Sequence, residues 1–261
     1  MPDPCVPTSA GPDFTSTPCI TLSSVRLVRG QTTVLDGLSL RWDQPRIGLI
    51  GHNGAGKTSL FRLLCGLDEP AAGEVLFDGA NLHQAGRERT RWIGMMFQNP
   101  DDQIIFPTVE EELALGVQAQ GVAKREAKAQ ARAFLAQRGL AHWAERAISS
   151  LSQGQRQMVC WLAMLISAPR TVLLDEPYAS LDLPGQAQLA DDIAAAAQQV
   201  IVSTHVLAHV RDYARVVWLD QGRVRGDGPG AEVCAAYEAA VAAEVDARRA
   251  ATRAPGQKSL G

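Results

Sequence analysis

GHNGAGKT, residues 51–58, indicates more than any other segment how this chain folds. It fits the phosphate-loop pattern G-x-x-x-x-G-K-[ST], in which glycines let successive backbone N–H groups face one point and the lysine adds a positive charge. An apolar run at 46–50 precedes it, and residues 59–64 carry apolar side chains at helical spacing. Strand, loop and helix together predict a polyphosphate site at a helix N-terminus. A glycine turn without a ligand is the minor alternative, because a chain of this length contains the pattern by accident in about one case in a hundred.

Length and composition limit the class of protein. The chain has 261 residues, enough for one large α/β domain, and its 25 basic and 28 acidic residues nearly balance, which does not indicate a nucleic-acid binder. Five scattered cysteines without metal-type spacing favour a reducing compartment. The N-terminus has no signal-peptide pattern, and the uncharged run at 157–169 is too short to span a bilayer. Any membrane association is therefore expected to come through a partner.

The first quarter of the chain predicts a tail and a small sheet. Residues 1–19 are rich in Pro, Ser, Thr and Asp, which predicts a disordered tail. From Ile20 to Trp42 apolar residues alternate around a turn at 29–31, and a third alternating run follows at 74–77. This pattern predicts antiparallel strands beside the phosphate loop.

A helical insertion is predicted after a buried strand at 92–97. Thr108 and Glu111 have capping-box spacing, and the Ala-rich segment 122–138 predicts a helix that Gly139 ends. Acids without intervening Lys or Arg cluster ahead of and inside this insertion, which predicts an acidic docking groove for a partner. The plainer alternative is a solvated helix start that favours the helix dipole. The cluster consists of Asp101, Asp102, Glu110, Glu111 and Glu112.

Two carboxylates indicate a site beside a cation. LSQGQ, residues 151–155, predicts a helix start at which Ser152 is the N-cap and Gln155 the reciprocal partner. The apolar strand at 171–174 then ends in Asp175 and Glu176, and burial of carboxylates is costly without a cation or hydrogen bonds.

The last third of the chain predicts further α/β units. Pro184 opens a helix to about 198, a buried strand at 200–202 ends just before His205, and a hairpin at 220–222 precedes a helix at about 230–250. His205 and His209 have the spacing of a zinc pair. Val206 stands where the zinc pattern H-E-x-x-H requires Glu, so zinc remains the minor interpretation.

In order and spacing, the loop at 51–58, Gln98, LSQGQ at 151–155, Asp175-Glu176, Ser180-Leu181-Asp182 and His205 resemble the ABC-type ATPases over roughly residues 20–228. Within that group, residues 97–103 followed by 107–111 are similar to the ATPase subunits of energy-coupling factor (ECF) vitamin and metal importers. The run at 103–108 and the LSQGQRQ signature are most similar to the biotin-transport branch.

The resemblance implies an α/β fold of the P-loop NTPase type, with a mainly parallel sheet and flanking helices. An antiparallel β subdomain and an α-helical subdomain inserted at about 98–168 complete it. The implied organisation is a disordered tail at 1–19, an ABC ATPase domain at 20–228, and a C-terminal helix and tail at 229–261.

The resemblance also implies that ATP and Mg²⁺ are bound and assigns roles to residues. Lys57 would hold the β- and γ-phosphates, and Glu176 would be the general base. Gln98 would sense the metal and the attacking water, and His205 would contact the γ-phosphate. The implied metal residues are Thr58, Gln98 and, through water, Asp175. The implied ATP-binding residues are Gly51, Asn53, Gly54, Ala55, Gly56, Lys57, Thr58, Ser59, Ser152, Gln153, Gly154, Gln155 and Asp182.

The implied partners follow from the same resemblance. A second copy of the chain would pair head-to-tail, so that each ATP lies between one phosphate loop and the other signature. A transmembrane coupling subunit and a solute-binding membrane subunit would hold the pair at the cytoplasmic face of the cell membrane, with no nucleic acid involved. The chain would hydrolyse ATP to drive vitamin or metal-ion uptake, with biotin as the nearest branch.

Alternatives and departures remain open at this point. The alternative functions are a cobalt/nickel or other ABC importer, a soluble ABC ATPase outside transport, and a nucleotide-binding regulator without turnover, against which Glu176, Gln98 and His205 argue. Gln153 stands where the family usually has Gly. The family stacks adenine on an aromatic after the first strand, but no Phe, Tyr or Trp lies between Phe14 and Trp42, which leaves Arg29 as the nearest planar group.

Overall fold

The computed structural model describes residues 16–253, with side chains described through residue 249, so most of the predicted N-terminal tail and the last residues lie outside the described part. The helices and strands in chain order are β1 (Ile20–Arg29), β2 (Thr32–Trp42), β3 (Arg46–Ile50), α1 (Lys57–Leu64), β4 (Ala72–Phe77), β5 (Ala80–Asn81), α2 (Arg89–Trp92), β6 (Ile93–Met96), α3 (Val109–Ala119), α4 (Lys124–Gln137), α5 (Gln153–Ser167), β7 (Thr171–Asp175), α6 (Leu183–Ala195), β8 (Gln199–Ser203), β9 (Arg215–Asp220), β10 (Arg223–Gly228) and α7 (Gly230–Arg253).

A six-stranded sheet, in the order β10-β9-β3-β8-β7-β6, forms the centre of the fold. β6, β7, β8, β3 and β9 run parallel, and β10 pairs antiparallel with β9. Every residue of β7 and β8 is buried, as expected for parallel strands covered on both faces. Because the carboxyl ends of parallel strands meet at one edge, β3, β7 and β8 deliver the segments that follow them to a common place.

The two faces of this sheet are covered differently. On one face, α1 and the antiparallel sheet β2-β1-β4-β5 pack in a core that includes Trp42, Leu49 and Phe61. On the other face, α5, α6 and α7 contribute to a second core that includes Trp161 and Trp218. The antiparallel strands predicted from residues 20–42 and 74–77 are confirmed.

A third core belongs to the helical insertion. α3, α4 and the outer side of α5 enclose Leu113, Ala131 and Leu162, which are fully or almost fully buried. Gly139 ends α4 with φ of 72°, and the N–H of Leu140 returns to the carbonyl of Leu135 at 2.9 Å, as the sequence predicts. The insertion is thus built around its own hydrophobic centre.

The predicted capping box at Thr108 is wrong. Thr108 is the N-cap of α3, but its side chain caps no backbone N–H. Its hydroxyl instead donates to Oε2 of Glu111 at 2.9 Å, and Oε1 of Glu111 accepts from Lys128 of α4 at 2.9 Å. The carboxylate therefore serves a contact between two helices rather than the start of its own helix.

The described end of the predicted tail is attached to the body. Pro18 is buried, and its carbonyl accepts from Nε2 of Gln199 at 3.2 Å. The N–H of Cys19 donates to Asp78 at 2.8 Å. Order therefore begins before the predicted boundary at residue 19, while the calls on residues 1–15 concern the part that the structure leaves undescribed.

Candidate functional site

The phosphate loop takes a conformation that only glycine allows at several positions. Gly51, Gly54 and Gly56 have φ of 146°, 82° and 107°. A Cβ on Gly51 would lie 2.2 Å from the carbonyl oxygen of Leu219, so the loop packs directly on β9. Gly56 is the N-cap of α1 and no side chain caps this helix, so first-turn N–H groups remain to meet an anion.

Lys57 lies inside the loop. Its ammonium donates to the carbonyls of Gly51 at 2.7 Å and His52 at 3.2 Å. Burial lowers the pKa of Lys57, and the nearby carboxylates of Glu176 and Asp175 oppose that shift. A phosphate oxygen would be a stronger, charged acceptor for the same ammonium.

Thr58 and Asp175 meet across the sheet edge. The hydroxyl of Thr58 donates to Oδ2 of Asp175 at 2.7 Å, and the Asp175 carboxylate is almost fully buried at the end of β7. Gln98, which follows β6, lines the same cleft. Hydroxyl, carboxylate and amide oxygens are the hard donors that Mg²⁺ prefers, so these residues fit that ion.

Glu176 and His205 form a contact pair. Oε2 of Glu176 accepts from Nδ1 of His205 at 2.7 Å and from the backbone N–H of His205 at 3.2 Å. A carboxylate only accepts, so Nδ1 carries the proton in this pair. Glu176 has φ of 48°, a left-handed conformation that is costly for a residue other than glycine, and its N–H donates to the carbonyl of Ser203 at 2.9 Å.

These groups surround one cleft of about 590 Å³. Its lining brings together nearly all of the residues predicted from the phosphate loop and the strand ends. The lining residues are Val34, Gly51, His52, Asn53, Gly54, Gly56, Lys57, Thr58, Ser59, Gln98, Asp175, Glu176, His205 and Tyr237. Ala55, which was also predicted, is buried beneath the loop.

Sequence reasoning missed Val34, His52 and Tyr237. The hydroxyl of Tyr237, on α7, lies 3.5 Å from Nδ1 of His52, and Glu244 of the same helix lies 3.6 Å from Nε2. His52 occupies an unspecified position of the loop pattern. The signal for Tyr237 was weak, since it is one aromatic residue in an Ala-rich helix.

The signature residues lie elsewhere in the chain. The predicted capping box of α5 is confirmed, because Ser152 Oγ accepts from the N–H of Gln155 at 3.2 Å and Gln155 Oε1 accepts from the N–H of Ser152 at 3.1 Å. Ser152, Gln153, Gly154, Gln155 and Asp182 line a second cleft, of about 1160 Å³. One chain therefore does not bring them to the phosphate loop.

Asp182 also has a local role. Its Oδ1 accepts from the N–H of Gly185 at 3.0 Å and so caps α6. The capping contact alone accounts for an acid at this position.

The predicted open acidic groove is wrong. Glu110 is almost fully buried and pairs with Lys128 and Arg132, while Glu112 accepts the N–H groups of Ile105 and Phe106, each at 2.9 Å. Two more of the five acids are also paired, Glu111 with Lys128 and Asp101 with Arg156. Within the described residues only Asp102 of the five acids has no ion pair. Ile105 beside it is 74% exposed, so this surface is apolar as well as acidic.

The remaining candidates have other partners. Arg29 forms an ion pair with Asp68, which also binds Arg62, so stacking on a base would have to displace this contact. His209 stacks on Tyr178 with ring centroids 3.7 Å apart, whereas His205 contacts Glu176. Across the described residues no three His, Cys, Asp or Glu side chains form a group that could hold a metal.

Comparison with known proteins adds the family. A family model described as ABC transporter matches residues 35–179, more than half of the chain. The biotin transport ATP-binding protein BioM of Rhodobacter capsulatus is 42% identical over 224 residues, which is 86% of this chain and 96% of that protein. The energy-coupling factor transporter ATP-binding protein EcfA of Methanoculleus marisnigri is 35% identical over 79% of this chain and 77% of its own length.

Solved structures agree on the fold. CbiO1 from Clostridium perfringens, part of the ABC transporter complex cbiONQ, superposes with a TM-score of 0.72 at 24% identity, covering 88% of this chain and 96% of that one. The ATP-binding cassette MJ0796, solved as a dimer in a post-hydrolysis state with ADP and Pi, gives a TM-score of 0.71 at 23% identity over 80% and 98% of the two chains. No helix in the part of the chain that the structure describes is long and apolar enough to cross a membrane. With its phosphate loop, strand-end carboxylates and separate signature helix, the chain belongs to the ABC transporter family as an ATP-binding protein.

Proposed function

We propose that the chain is the ATPase subunit of an ECF-type importer and that biotin is the solute whose uptake it drives. The observation that carries the ATPase activity is the convergence of Lys57, Thr58, Asp175, Glu176 and His205 on one cleft. The transport role is supported by the relatives named for biotin transport and for energy coupling.

Binding of the triphosphate rests on the loop. The N–H groups at the start of α1 and the ammonium of Lys57 neutralise phosphate charge, and Lys57 exchanges the carbonyls of Gly51 and His52 for phosphate oxygens. Thr58 and Asp175 would hold Mg²⁺, with Gln98 beside them, and the ion supplies charge neutralisation between the β- and γ-phosphates.

Hydrolysis rests on Glu176. A water oxygen bonds to the γ-phosphorus, the bond from that phosphorus to the bridging oxygen breaks, and the water proton passes to the Glu176 carboxylate. His205 contacts the same carboxylate at 2.7 Å, so it orients the base and reaches the γ-phosphate from the same position. Positioning and charge neutralisation, rather than a covalent intermediate, provide the acceleration.

The complete site needs two chains. The phosphate loop and the signature line separate clefts, which supports a head-to-tail homodimer in which each chain supplies one half of each site. Ser152 at the N-terminus of α5 would then offer its hydroxyl and nearby N–H groups to the γ-phosphate of the other chain.

The membrane partners would dock beside Gln98. Ile105 is a large apolar side chain that is mostly exposed, and the exposed Asp102 lies three residues before it. An apolar contact with an acidic neighbour suits a short basic, amphipathic segment of a transmembrane coupling subunit. A solute-binding membrane subunit completes the importer, and these partners hold the ATPase at the cytoplasmic face of the cell membrane.

Reconstitution tests this proposal. The chain would be co-purified with its membrane subunits in proteoliposomes, and uptake of labelled biotin would be measured with ATP, with the matched Glu176→Gln complex as control. Uptake that needs both ATP and Glu176 is expected. ATP-driven uptake of Co²⁺, Ni²⁺ or another vitamin in place of biotin would overturn the solute assignment. Vigorous ATPase activity by a chain that joins no membrane subunit would overturn the importer.

A further inference from the structure

Two glutamines of α5 reach the segment that carries Glu176. Nε2 of Gln153 donates to Oγ of Ser180 at 2.9 Å, and Nε2 of Gln157 donates to the carbonyl of Pro177 at 3.4 Å. Positions four residues apart lie on one face of a helix, so both amides point to the same stretch of chain. We call Gln153 and Gln157 the amide pair, and residues 176–180 the base segment.

The burial of Gln157 is unusual for a residue without a defined task. The side chain is 2% exposed, and its Oε1 has no hydrogen-bond partner among the described residues. A half-satisfied buried amide is costly, and an apolar side chain of the same volume would pack there without that cost. The single contact that the amide does make, to Pro177, is therefore the feature that distinguishes Gln157 from a leucine.

The base segment needs support from outside. Glu176 is held in a left-handed conformation, which persists only where the surroundings impose it. β8 supplies one support, through the carbonyl of Ser203, and the segment closes on itself through the N–H of Ala179 to the carbonyl of Glu176 at 3.2 Å. Gln157 holds the next peptide unit from the opposite side, that of α5.

Gln153 adds a second contact at the exposed end. The family usually has glycine at this position, and a glycine has no side chain to reach Ser180. Here the amide is directed to the chain's own base segment, so the departure from the usual signature has a structural consequence within this chain.

We propose that Gln153 and Gln157 are positioning residues that tie the N-terminus of α5 to the base segment, so that the orientation of Glu176 depends on the placement of the signature. This inference rests on the proposed function, in which Ser152 contacts the nucleotide of the second chain and Glu176 acts on the chain's own nucleotide. The amide pair then links the two sites of the dimer.

The first test replaces Gln157 by Leu, which keeps the volume and removes the donor, with Met164→Leu on the same helix as the matched control. Loss of one hydrogen bond to the base segment should lower kcat by about five- to tenfold while the Kd for ATP stays the same. The decisive measurement is the same change in a Glu176→Gln background. If Gln157 acts through Glu176, the residual turnover falls no further, whereas a general packing defect lowers it by the same factor in both backgrounds.

Gln157→Glu gives a second, independent readout. A protonated carboxyl group donates to the Pro177 carbonyl, but an ionised one repels it, and burial raises the pKa of such a group. Turnover relative to the unsubstituted protein should therefore be near normal at low pH and fall as pH rises. A ratio that is independent of pH would overturn the role of the donor.

Gln153→Ala, Ser180→Ala and their combination test the exposed link. Each single variant and the double variant should show the same loss of cooperativity between the two ATP sites, with a Hill coefficient nearer to one. Independent, additive effects would contradict the link. If Glu176→Gln itself turns over like the unsubstituted protein, the proposed base is wrong; if that variant is inactive but Gln157→Leu is normal, only the present inference fails.

Discussion

Glu176→Gln tests the site most directly because it removes one property and keeps the shape. In the structure the Glu176 carboxylate accepts from Nδ1 and from the backbone N–H of His205. The amide oxygen of Gln can accept both of these contacts, but the amide cannot take up a proton. The fold around β7 and β8 should therefore survive, while the water that attacks phosphorus loses its base.

The expected loss follows from the role. Removing a general base lowers turnover by roughly 10²- to 10⁴-fold, equivalent to about 3–5 kcal/mol of barrier. Replacing a charged acceptor by a neutral one costs about 1 kcal/mol of stability, which is too little to unfold the protein. ATP affinity should stay within about threefold, because Glu176 makes no contact that the loop needs to bind phosphate.

Three assays separate these terms. Phosphate release gives kcat, equilibrium binding of a fluorescent ATP analogue gives Kd, and size-exclusion chromatography with ATP reports the dimer, which should accumulate in the variant. Glu232→Gln, a change of an exposed carboxylate at the start of α7, is the matched control and should be normal in all three. Phosphate release within threefold of the unsubstituted protein would refute the assignment of the base.

Four further outcomes are expected. Lys57→Ala and Ser152→Arg chains, each inactive alone, should regain partial ATPase activity when mixed, because one composite site stays intact in the mixed dimer; no recovery despite demonstrated mixing would place each site within one chain. Ile105→Ser should leave ATP binding by the isolated chain unchanged and weaken co-purification with the membrane subunits, and normal assembly would exclude this surface. Ala168→Gly should stabilise the chain by about 1 kcal/mol in urea unfolding, since Ala168 ends α5 with φ of 46°. Burial holds the pKa of His209 below its ordinary value, so the unfolded state binds more protons; the free energy of unfolding should fall as pH drops below about 6.5, with a shallower slope in His209→Gln.

The sequence predicted what short-range rules determine. Ser152 and Gln155 lie three residues apart, and the geometry of one helical turn is enough to bring their side chains to each other's N–H groups. The phosphate loop was predictable for the same reason, since its glycines are required by the loop's own backbone. The strands were predictable because β7 and β8 are continuous apolar runs.

Contacts between distant helices were not predictable in this way. Thr108 and Glu111 have the same spacing as the pair at 152 and 155, but Lys128 comes from α4 and takes the Glu111 carboxylate. Glu110 likewise meets Arg132, so the acids that suggested a groove are used inside the insertion. No local pattern records which cation from another helix will face a given carboxylate. Tyr237 reaches the phosphate loop only because α7 packs against β9, and that packing too is set by the whole fold.

The geometry of the cleft also says what ATP binding has to exchange. Lys57 donates to the loop's own carbonyls, Thr58 to Asp175, and His205 to Glu176. Phosphate, Mg²⁺ and water compete for these same atoms, so a bound nucleotide contributes only the difference between the new contacts and the internal ones. The charged contacts of a triphosphate exceed those of a carbonyl or a hydroxyl, so the difference is favourable at Lys57 and Thr58. At Glu176 the partner lost is itself a cation donor, and a neutral water molecule does not replace it. The base is therefore the last group to be rearranged, and its release is the step at which the signature of the second chain, through the amide pair, can control hydrolysis.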